Sequence, residues 1–110
     1  MRRRVVLTGM GSITPLGSNT DEFWSALSSG TSGADRITKF DTSDYATKIA
    51  AEVKNFDPLQ HFDTKEVRRL DPYTQYAIIS AREAISDSGL NLEEENRNRI
   101  GFIIGCGIGG

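Results

Sequence analysis

Two short β-branched segments most constrain how this chain can fold. Residues 4–8, with the apolar run 5–7, and residues 100–104 show no alternation of apolar and polar side chains, as is typical of strands buried on both faces of a parallel sheet. The first runs into Gly9 and Gly11 and the second into Gly105 and Gly107, and glycines at such positions favour loops. A third, short strand is predicted near residues 48–53, followed by a turn at Asp57-Pro58.

Three helices are predicted between these strands. The first starts at a cap formed by Ser18 or Thr20 and ends at Gly30. The second is short and covers residues 64–70. The third starts at Asp71-Pro72, since Asp caps helices and Pro suits the first helical position, and it ends at Gly89. A charged surface turn is predicted for residues 91–99.

Apolar and small residues give two of these helices distinct faces. The first helix has an apolar face of Phe23, Trp24 and Leu27. The third has a stripe at helical spacing whose small residues allow close packing against a neighbouring element. That stripe consists of Tyr73, Tyr76, Ala77, Ser80, Ala81, Ala84, Ile85 and Ser88.

The order of elements predicts an α/β fold. Strands separated by helices favour parallel pairing with right-handed crossovers. A sheet of only two or three parallel strands cannot cover both of its faces. We therefore expect residues 1–110 to be the opening segment of a larger enzyme, without a complete active site of their own.

Composition excludes several classes of function. The chain has 13 basic and 15 acidic side chains and a net charge of −2, which argues against a nucleic-acid partner. The apolar run after the basic start is only Val5, Val6 and Leu7, too short for an export signal or a membrane span. The single cysteine, Cys106, forms no internal disulfide or zinc site, which favours a reducing compartment, the cytoplasm.

The terminal glycines and Cys106 each allow two interpretations. Gly105, Gly107 and Gly110 match the G-x-G-x-x-G pattern of dinucleotide-binding oxidoreductases, but glycines after a strand also let backbones approach closely. Cys106 is either a nucleophile or a small buried residue at a strand end. The only histidine, His61, has no spacing that pairs it with Cys106, so the buried interpretation is preferred and His61 is taken as an ordinary loop residue.

Three cations are predicted to share one helix face. Lys65, Arg68 and Arg69 stand at i, i+3 and i+4, whereas Glu66 points elsewhere. Such a cluster is either a solvated face or a docking patch for an acidic partner, where charges steer the encounter.

Six consecutive motifs resemble the N-terminus of the beta-ketoacyl-acyl-carrier-protein synthases, especially the type II elongating enzymes of bacterial fatty acid synthesis. They cover nearly the whole chain in order. They are RRVVLTGMGSITPLG at 3–17, FW.AL at 23–27 with its following SG..G turn, FDTSDYATKIAAEV at 40–53, KEVRRLDPYTQYAI at 65–78, A..DSGL at 84–90 and RIGFIIGCGIGG at 99–110.

The resemblance implies a thiolase-like fold of five α/β layers (αβαβα) in a homodimer, with this chain as the first part of the N-terminal half. It implies a decarboxylative Claisen condensation, in which acyl and malonyl thioesters of acyl carrier protein give a 3-oxoacyl chain. The family's nucleophilic cysteine, two histidines and lysine would lie beyond position 110, so Cys106 is not that nucleophile. No catalytic residue, cofactor or metal is expected in this segment, which alone would be inactive.

Two site assignments follow from the resemblance. Ile108 matches the position that lines the acyl pocket near the dimer interface. Lys65, Arg68 and Arg69 match the basic patch that meets acyl carrier protein, which makes docking the preferred interpretation of that cluster.

Alternatives remain within and outside the superfamily. A polyketide ketosynthase or chain-length factor shares these N-terminal motifs. A dinucleotide-binding oxidoreductase domain and a free-standing carrier-protein-binding module are candidates from other classes.

Overall fold

The computed structural model describes residues 2–109, and in it the chain divides into two units. One unit is Ser12–Asp57. The other joins the start of the chain, up to Gly11, to the segment from Pro58 onward. Within the described residues, no helix is long and apolar enough to cross a membrane.

In the Ser12–Asp57 unit, the first helix, α1, spans Thr20–Ser28. Its cap is Asn19, whose side chain accepts a hydrogen bond from the Glu22 amide at 2.9 Å, so the prediction of Ser18 or Thr20 was wrong by one residue. The extended backbone of Asn19 brings its side-chain oxygen under the first turn. Gly30 follows the helix with φ +73°, which confirms the predicted end.

A two-stranded antiparallel sheet completes this unit. Strand β1 (Asp35–Arg36) pairs with β2 (Ile49–Ala50) in the register Asp35 to Ala50 and Arg36 to Ile49. The strand predicted over residues 48–53 is thus confirmed only at its start, and β1 lies where the sequence predicted no strand. Parallel pairing was wrong here, since the only ladder among residues 2–109 is antiparallel.

The other unit is largely helical. A 3₁₀ turn at Pro58–Gln60 precedes α2 (Thr64–Val67), and α3 spans Pro72–Ser88. Both predicted ends of α3 are confirmed: Pro72 occupies the first turn, and Gly89 ends the helix in the left-handed conformation at φ +67°. Asp71 precedes α3 but makes no capping hydrogen bond with its side chain, so the proline and not the carboxylate defines this start.

The buried side chains of the described residues all lie in this second unit. They are Phe62, Gln75 and Ile79. Gln75 and Ile79 fall outside the stripe that the sequence singled out on α3, while Tyr73 and Ile85 within it are exposed. The helix therefore packs on two sides, and the sequence pattern indicated one of them.

The two outer strands predicted from the sequence do not form within residues 2–109. Residues 4–8 and 100–104 join no ladder there, and their apolar side chains are exposed, with Val5 at 93% and Ile103 at 96%. A β-branched segment becomes a strand only when a neighbour pairs with its backbone. These segments have the composition of buried strands but no pairing partner among the described residues.

The charged turn predicted for residues 91–99 is confirmed. It contains a 3₁₀ turn at Arg97–Arg99 and an exposed ion pair between Arg97 and Glu93 at 2.6 Å.

Candidate functional site

A compact capped turn carries the three cations that the sequence singled out. The Asp63 side chain accepts hydrogen bonds from the amides of Lys65 and Glu66, both at 2.8 Å. The Glu66 carboxylate in turn accepts one from the Asp63 amide at 3.1 Å. This reciprocal capping box fixes the start of α2 and confirms that Glu66 is turned back toward the helix start.

The three cations are exposed, but they do not all lie on one helix as predicted. Lys65 is in α2, Arg68 is its C-cap, and Arg69 lies in the following turn, held by a hydrogen bond from its amide to the Glu66 carbonyl at 2.9 Å. The helix stops early because Arg69 and Leu70 both donate to the same carbonyl, which tightens the last turn.

No ion pair within residues 2–109 engages Lys65, Arg68 or Arg69. Two acidic side chains close to them along the sequence, Asp63 and Glu66, are used in the capping box. We define residues 63–70 as the docking segment. Its exposed cations remain available to an acidic partner, and long-range charge attraction would act through them.

The docking segment is attached to α3 just before its start and at its end, through residues that the sequence did not single out. At the start, the Arg82 guanidinium lies 5.2 Å from the centre of the Phe62 ring and donates to the His61 carbonyl at 3.2 Å. At the end, the Gln75 side-chain amide donates to the Leu70 carbonyl at 2.8 Å. One feature of the sequence could have pointed to this pair: Gln75 and Arg82 are seven residues apart, which is two helical turns and places them on one face of α3.

Ile108 is fully exposed, at 102% of its reference area. No strand or helix holds the surrounding residues, and Gly109 has φ +93°. Gly110, the last glycine of the predicted G-x-G-x-x-G pattern, lies outside the described residues. The predicted pocket role of Ile108 therefore stays a prediction.

Cys106 is an exposed free thiol, so the prediction that it is buried was wrong within the described residues. The expectation depended on a strand at residues 100–104, and without that strand nothing covers the thiol. His61 is an exposed loop residue, as predicted, and its carbonyl accepts the hydrogen bond from Arg82.

The small-residue stripe on α3 has the neighbour that the sequence predicted. Gly9 and Gly11 lie against it so closely that a Cβ on Gly9 would overlap the Ala84 carbonyl, and one on Gly11 would overlap the Ser80 carbonyl. The Met10 amide between them donates to the Asp87 carboxylate at 2.9 Å. Small side chains and glycines thus meet backbone to backbone, which confirms the close packing inferred for the stripe.

A charged cleft of about 330 Å³ lies along the β1–β2 hairpin of the other unit. The Thr38 hydroxyl, with its own amide, donates to Glu52 and lowers the pKa of that carboxyl below its ordinary 4.5. The Arg36 amide and then the Lys54 ammonium lower the pKa of Asp35. Such contacts support the hairpin above the ordinary carboxyl pKa and are lost as the pH falls through the lowered one.

These two carboxylates hold the hairpin together, and their lowered pKa makes them weak bases at neutral pH. Among residues 2–109, no group of three or more His, Cys, Asp and Glu side chains is arranged to hold a metal ion.

Comparison with known sequences gives matches over almost the entire chain. The family described as "Beta-ketoacyl synthase, N-terminal domain" matches residues 2–110. The 3-oxoacyl-acyl-carrier-protein synthase 2 of Coxiella burnetii (strain RSA 493 / Nine Mile phase I) is 50% identical over 109 residues, which are 99% of this chain and 26% of that protein. The enzyme of the same name from Staphylococcus aureus (strain COL) is 47% identical over 108 residues, covering 98% of this chain and 26% of its own.

A solved structure agrees with these sequence matches. The ishigamide ketosynthase/chain length factor aligns with a TM-score of 0.72 and 38% identity, over 86% of this chain and 23% of that one. The α/β, thiolase-like fold predicted from the sequence is therefore confirmed. The chain spans about a quarter of the length of the relatives that it matches.

Proposed function

We propose that this chain, which belongs to the beta-ketoacyl synthase family through its N-terminal domain, is part of a 3-oxoacyl-acyl-carrier-protein synthase of fatty acid elongation. The observation that carries the proposal is the 50% identity, over 99% of the chain, to a relative of that name. Because that match covers 26% of the relative, we propose that residues 1–110 form the first part of the enzyme's N-terminal half.

The proposed reaction needs groups that this segment does not supply. An acyl group passes from the carrier-protein thiol to an enzyme cysteine, malonyl carrier protein loses carbon dioxide, and the resulting carbanion attacks the acyl thioester and releases the cysteine thiolate. We assign that cysteine, and the donors that stabilise the enolate, to the rest of the enzyme. Cys106 is an exposed free thiol, and we assign it no catalytic role.

Condensation can be tested directly in the protein expressed from its whole reading frame. Acyl and malonyl carrier-protein thioesters are supplied together, and we expect carbon dioxide and a 3-oxoacyl product two carbons longer. Absence of both, in a folded preparation, would refute the proposed activity.

One observation favours a polyketide ketosynthase or chain-length factor as the second candidate. The solved relative, 38% identical, is named a ketosynthase/chain length factor. The same assay separates the two candidates. An elongating enzyme adds one malonyl unit, and its 3-oxoacyl product must be reduced before the next addition. A polyketide system adds several malonyl units in succession.

The role that we propose for this segment is to dock acyl carrier protein through Lys65, Arg68 and Arg69. Their exposure and their lack of ion pairs within residues 2–109 support it. Reversing two charges, Arg68→Glu with Arg69→Glu, should raise the KM for carrier-bound substrate by roughly tenfold or more and flatten its dependence on salt.

A matched control reverses two other exposed, adjacent arginines, Arg2→Glu with Arg3→Glu. It changes the net charge by the same amount but lies outside the docking segment, so we expect a much smaller change in KM. Equal effects of the two pairs would show that total charge matters and not the docking segment.

For Ile108 we propose a role in lining the acyl pocket. The described structure leaves its side chain uncovered, so enlarging it creates no clash there. The variant Ile108→Phe should shift products toward shorter chains, while Ile108→Leu, of equal volume, should leave their distribution close to the original. An unchanged distribution in the Phe variant would remove this residue from the pocket.

We also propose that the enzyme works as a homodimer in the cytoplasm, without cofactor. The family resemblance supports the dimer, and the single cysteine supports a reducing compartment. Sedimentation of the purified protein tests the dimer.

A further inference from the structure

A side chain of α3, Arg82, contacts the two residues that directly precede the docking segment. The Arg82 guanidinium stacks 5.2 Å from the Phe62 ring centre, and its Nη1 donates to the His61 carbonyl at 3.2 Å. The ring is almost fully buried, at 5% exposure. A planar, charged group that meets a ring face and a carbonyl at once fixes direction as well as distance, and lysine cannot reproduce both contacts.

The end of the segment is held by a second side chain of the same helix. The Gln75 amide donates to the Leu70 carbonyl at 2.8 Å, and Gln75 is 5% exposed. A buried amide whose hydrogen bond is lost leaves an unpaired polar group, so this contact resists opening.

Gln75 and Arg82 stand seven residues apart, which places them on one face of α3, about 10 Å apart along its axis. Ile79, buried at 8% exposure, lies between them. The docking segment is thus attached, just before its start and at its end, to two points of a 17-residue helix, with the buried Ile79 between those points.

We propose that Gln75 and Arg82 are positioning residues, which hold the docking segment in the geometry that an acidic carrier protein meets. The inference rests on the proposed function and adds the two residues that preorganise its site. A segment of eight residues held at both ends loses less conformational freedom on binding, so affinity rises without any new contact to the partner.

Arg82 differs from the docking cations in its contacts. Its guanidinium is already engaged by the Phe62 ring and the His61 carbonyl, whereas no contact of this kind engages Lys65, Arg68 or Arg69 within residues 2–109. Changing Arg82 therefore alters how the segment is held and leaves the three docking cations in place.

The test is a KM and kcat comparison in the protein expressed from its whole reading frame. Arg82→Lys keeps the charge but loses the planar fork, and Arg82→Gln loses both. We expect both variants to raise the KM for carrier-bound acyl substrate by about two- to fivefold, with kcat unchanged. With an acyl thioester of a small thiol, which needs no docking, the kinetics should match the original protein.

Arg99→Gln is the matched control, because it removes an exposed arginine of the same unit that contacts neither α2 nor α3 through any described ion pair. It should leave the KM unchanged. A native KM in Arg82→Lys would mean that only charge matters and would overturn the proposal. So would an equal rise in KM for Arg82→Gln and Arg99→Gln.

Gln75→Met tests the second anchor. It preserves side-chain volume and removes the donor to the Leu70 carbonyl. We expect the same selective rise in KM; a rise with the small-thiol substrate as well would indicate general damage and count against positioning. If this buried variant fails to fold, the exposed Arg82 variants still decide the question.

Failure of this inference can be told apart from failure of the proposed function. If reversing Arg68 and Arg69 raises the KM but the Arg82 variants do not, docking stands and the anchors are structural only. If reversing Arg68 and Arg69 has no effect, the docking segment itself is wrong, and the anchoring role falls with it.

Discussion

Gly9 and Gly11 lie against a helix, whereas Gly105 and Gly107, spaced in the same way after a similar apolar segment, face open space. A Cβ on either of the first pair would overlap a carbonyl of α3. A Cβ on either of the second pair would meet no atom within 4 Å among the described residues. The sequence contains the same local pattern twice, and the structure uses it in two different ways.

The two glycine pairs differ because one of them has a packing partner, and not because the glycines themselves differ. Ser80, Ala84 and Ser88 form a strip of small side chains on α3, and only residues 9–11 are held against it. A glycine pattern therefore predicts close approach only when a second pattern of small residues elsewhere in the chain can receive it.

The largest effect should come from filling the closest of these approaches. In Gly11→Ala the new methyl group would overlap the Ser80 carbonyl and come within 2.8 Å of the Ala84 amide nitrogen. Because backbone must move to admit it, we expect a loss of about 1–3 kcal/mol in the free energy of unfolding. Denaturant unfolding monitored by circular dichroism measures this.

Gly107→Ala is the control, and it also tests whether the two glycine pairs differ in packing. In the chain of 110 residues we expect a change within about 0.5 kcal/mol, since nothing lies near the new methyl group. If this variant loses as much as Gly11→Ala in the longer enzyme, residues 105–107 gain a packed neighbour there and the two glycine pairs become equivalent.

A smaller effect is expected where glycine is needed for its backbone angle alone. Gly89 ends α3 at φ +67° with open space around its Cα. Gly89→Ala should cost about 1 kcal/mol, because a left-handed conformation is unfavourable for alanine. Gly89→Asn should cost less, since asparagine tolerates this conformation; equal losses in unfolding measurements would contradict the conformational explanation.

The smallest effect should come from the hydrogen bond beside the glycine contact. Asp87→Ala removes the acceptor for the Met10 amide, 2.9 Å away on an exposed surface, and should cost about 0.5–1 kcal/mol. Asp87→Asn retains an acceptor oxygen and should cost less. Hydrogen exchange of the Met10 amide reports the contact directly, and unchanged exchange in the alanine variant would show that the glycines alone hold this segment.

The helices and their ends could be predicted from the sequence because their signals are local. Pro72 and Gly89 mark α3 through fixed backbone angles, and Gly30 does the same for α1. The cap of α1 was missed by one residue because Ser18, Asn19 and Thr20 are all good caps, and only the extended backbone of Asn19 selects it.

Pairing between distant residues could not be predicted in this way. Strand β1 contains only two residues, one acidic and one basic, and it is a strand because Ile49 and Ala50 pair with it. Residues 4–8 have strong strand composition and yet join no ladder among residues 2–109. The composition of a segment indicates that it could pair as a strand. Whether the strand forms depends on whether another segment lies beside it and pairs with it.

The candidate site also combines features with local sequence signals and contacts between distant residues. The exposure of Lys65, Arg68 and Arg69 could be predicted from residue type, because charged side chains are mostly exposed. Their docking role follows from the family resemblance and stays a prediction. The partners of Gln75 and Arg82 could not be predicted, because their seven-residue spacing places them on one helix face without showing that they contact Leu70 and His61, 5 and 21 positions away.

The exposed apolar segments differ in how well they are guarded against self-association. Val5, Val6 and Leu7 directly follow three exposed arginines, whose mutual repulsion keeps copies of this segment apart. Residues 102–104 have no charged neighbour closer than Arg99 before them, and residues 105–110 carry no charged side chain. We therefore expect residues 102–104 to associate with other copies more readily than residues 5–7 do.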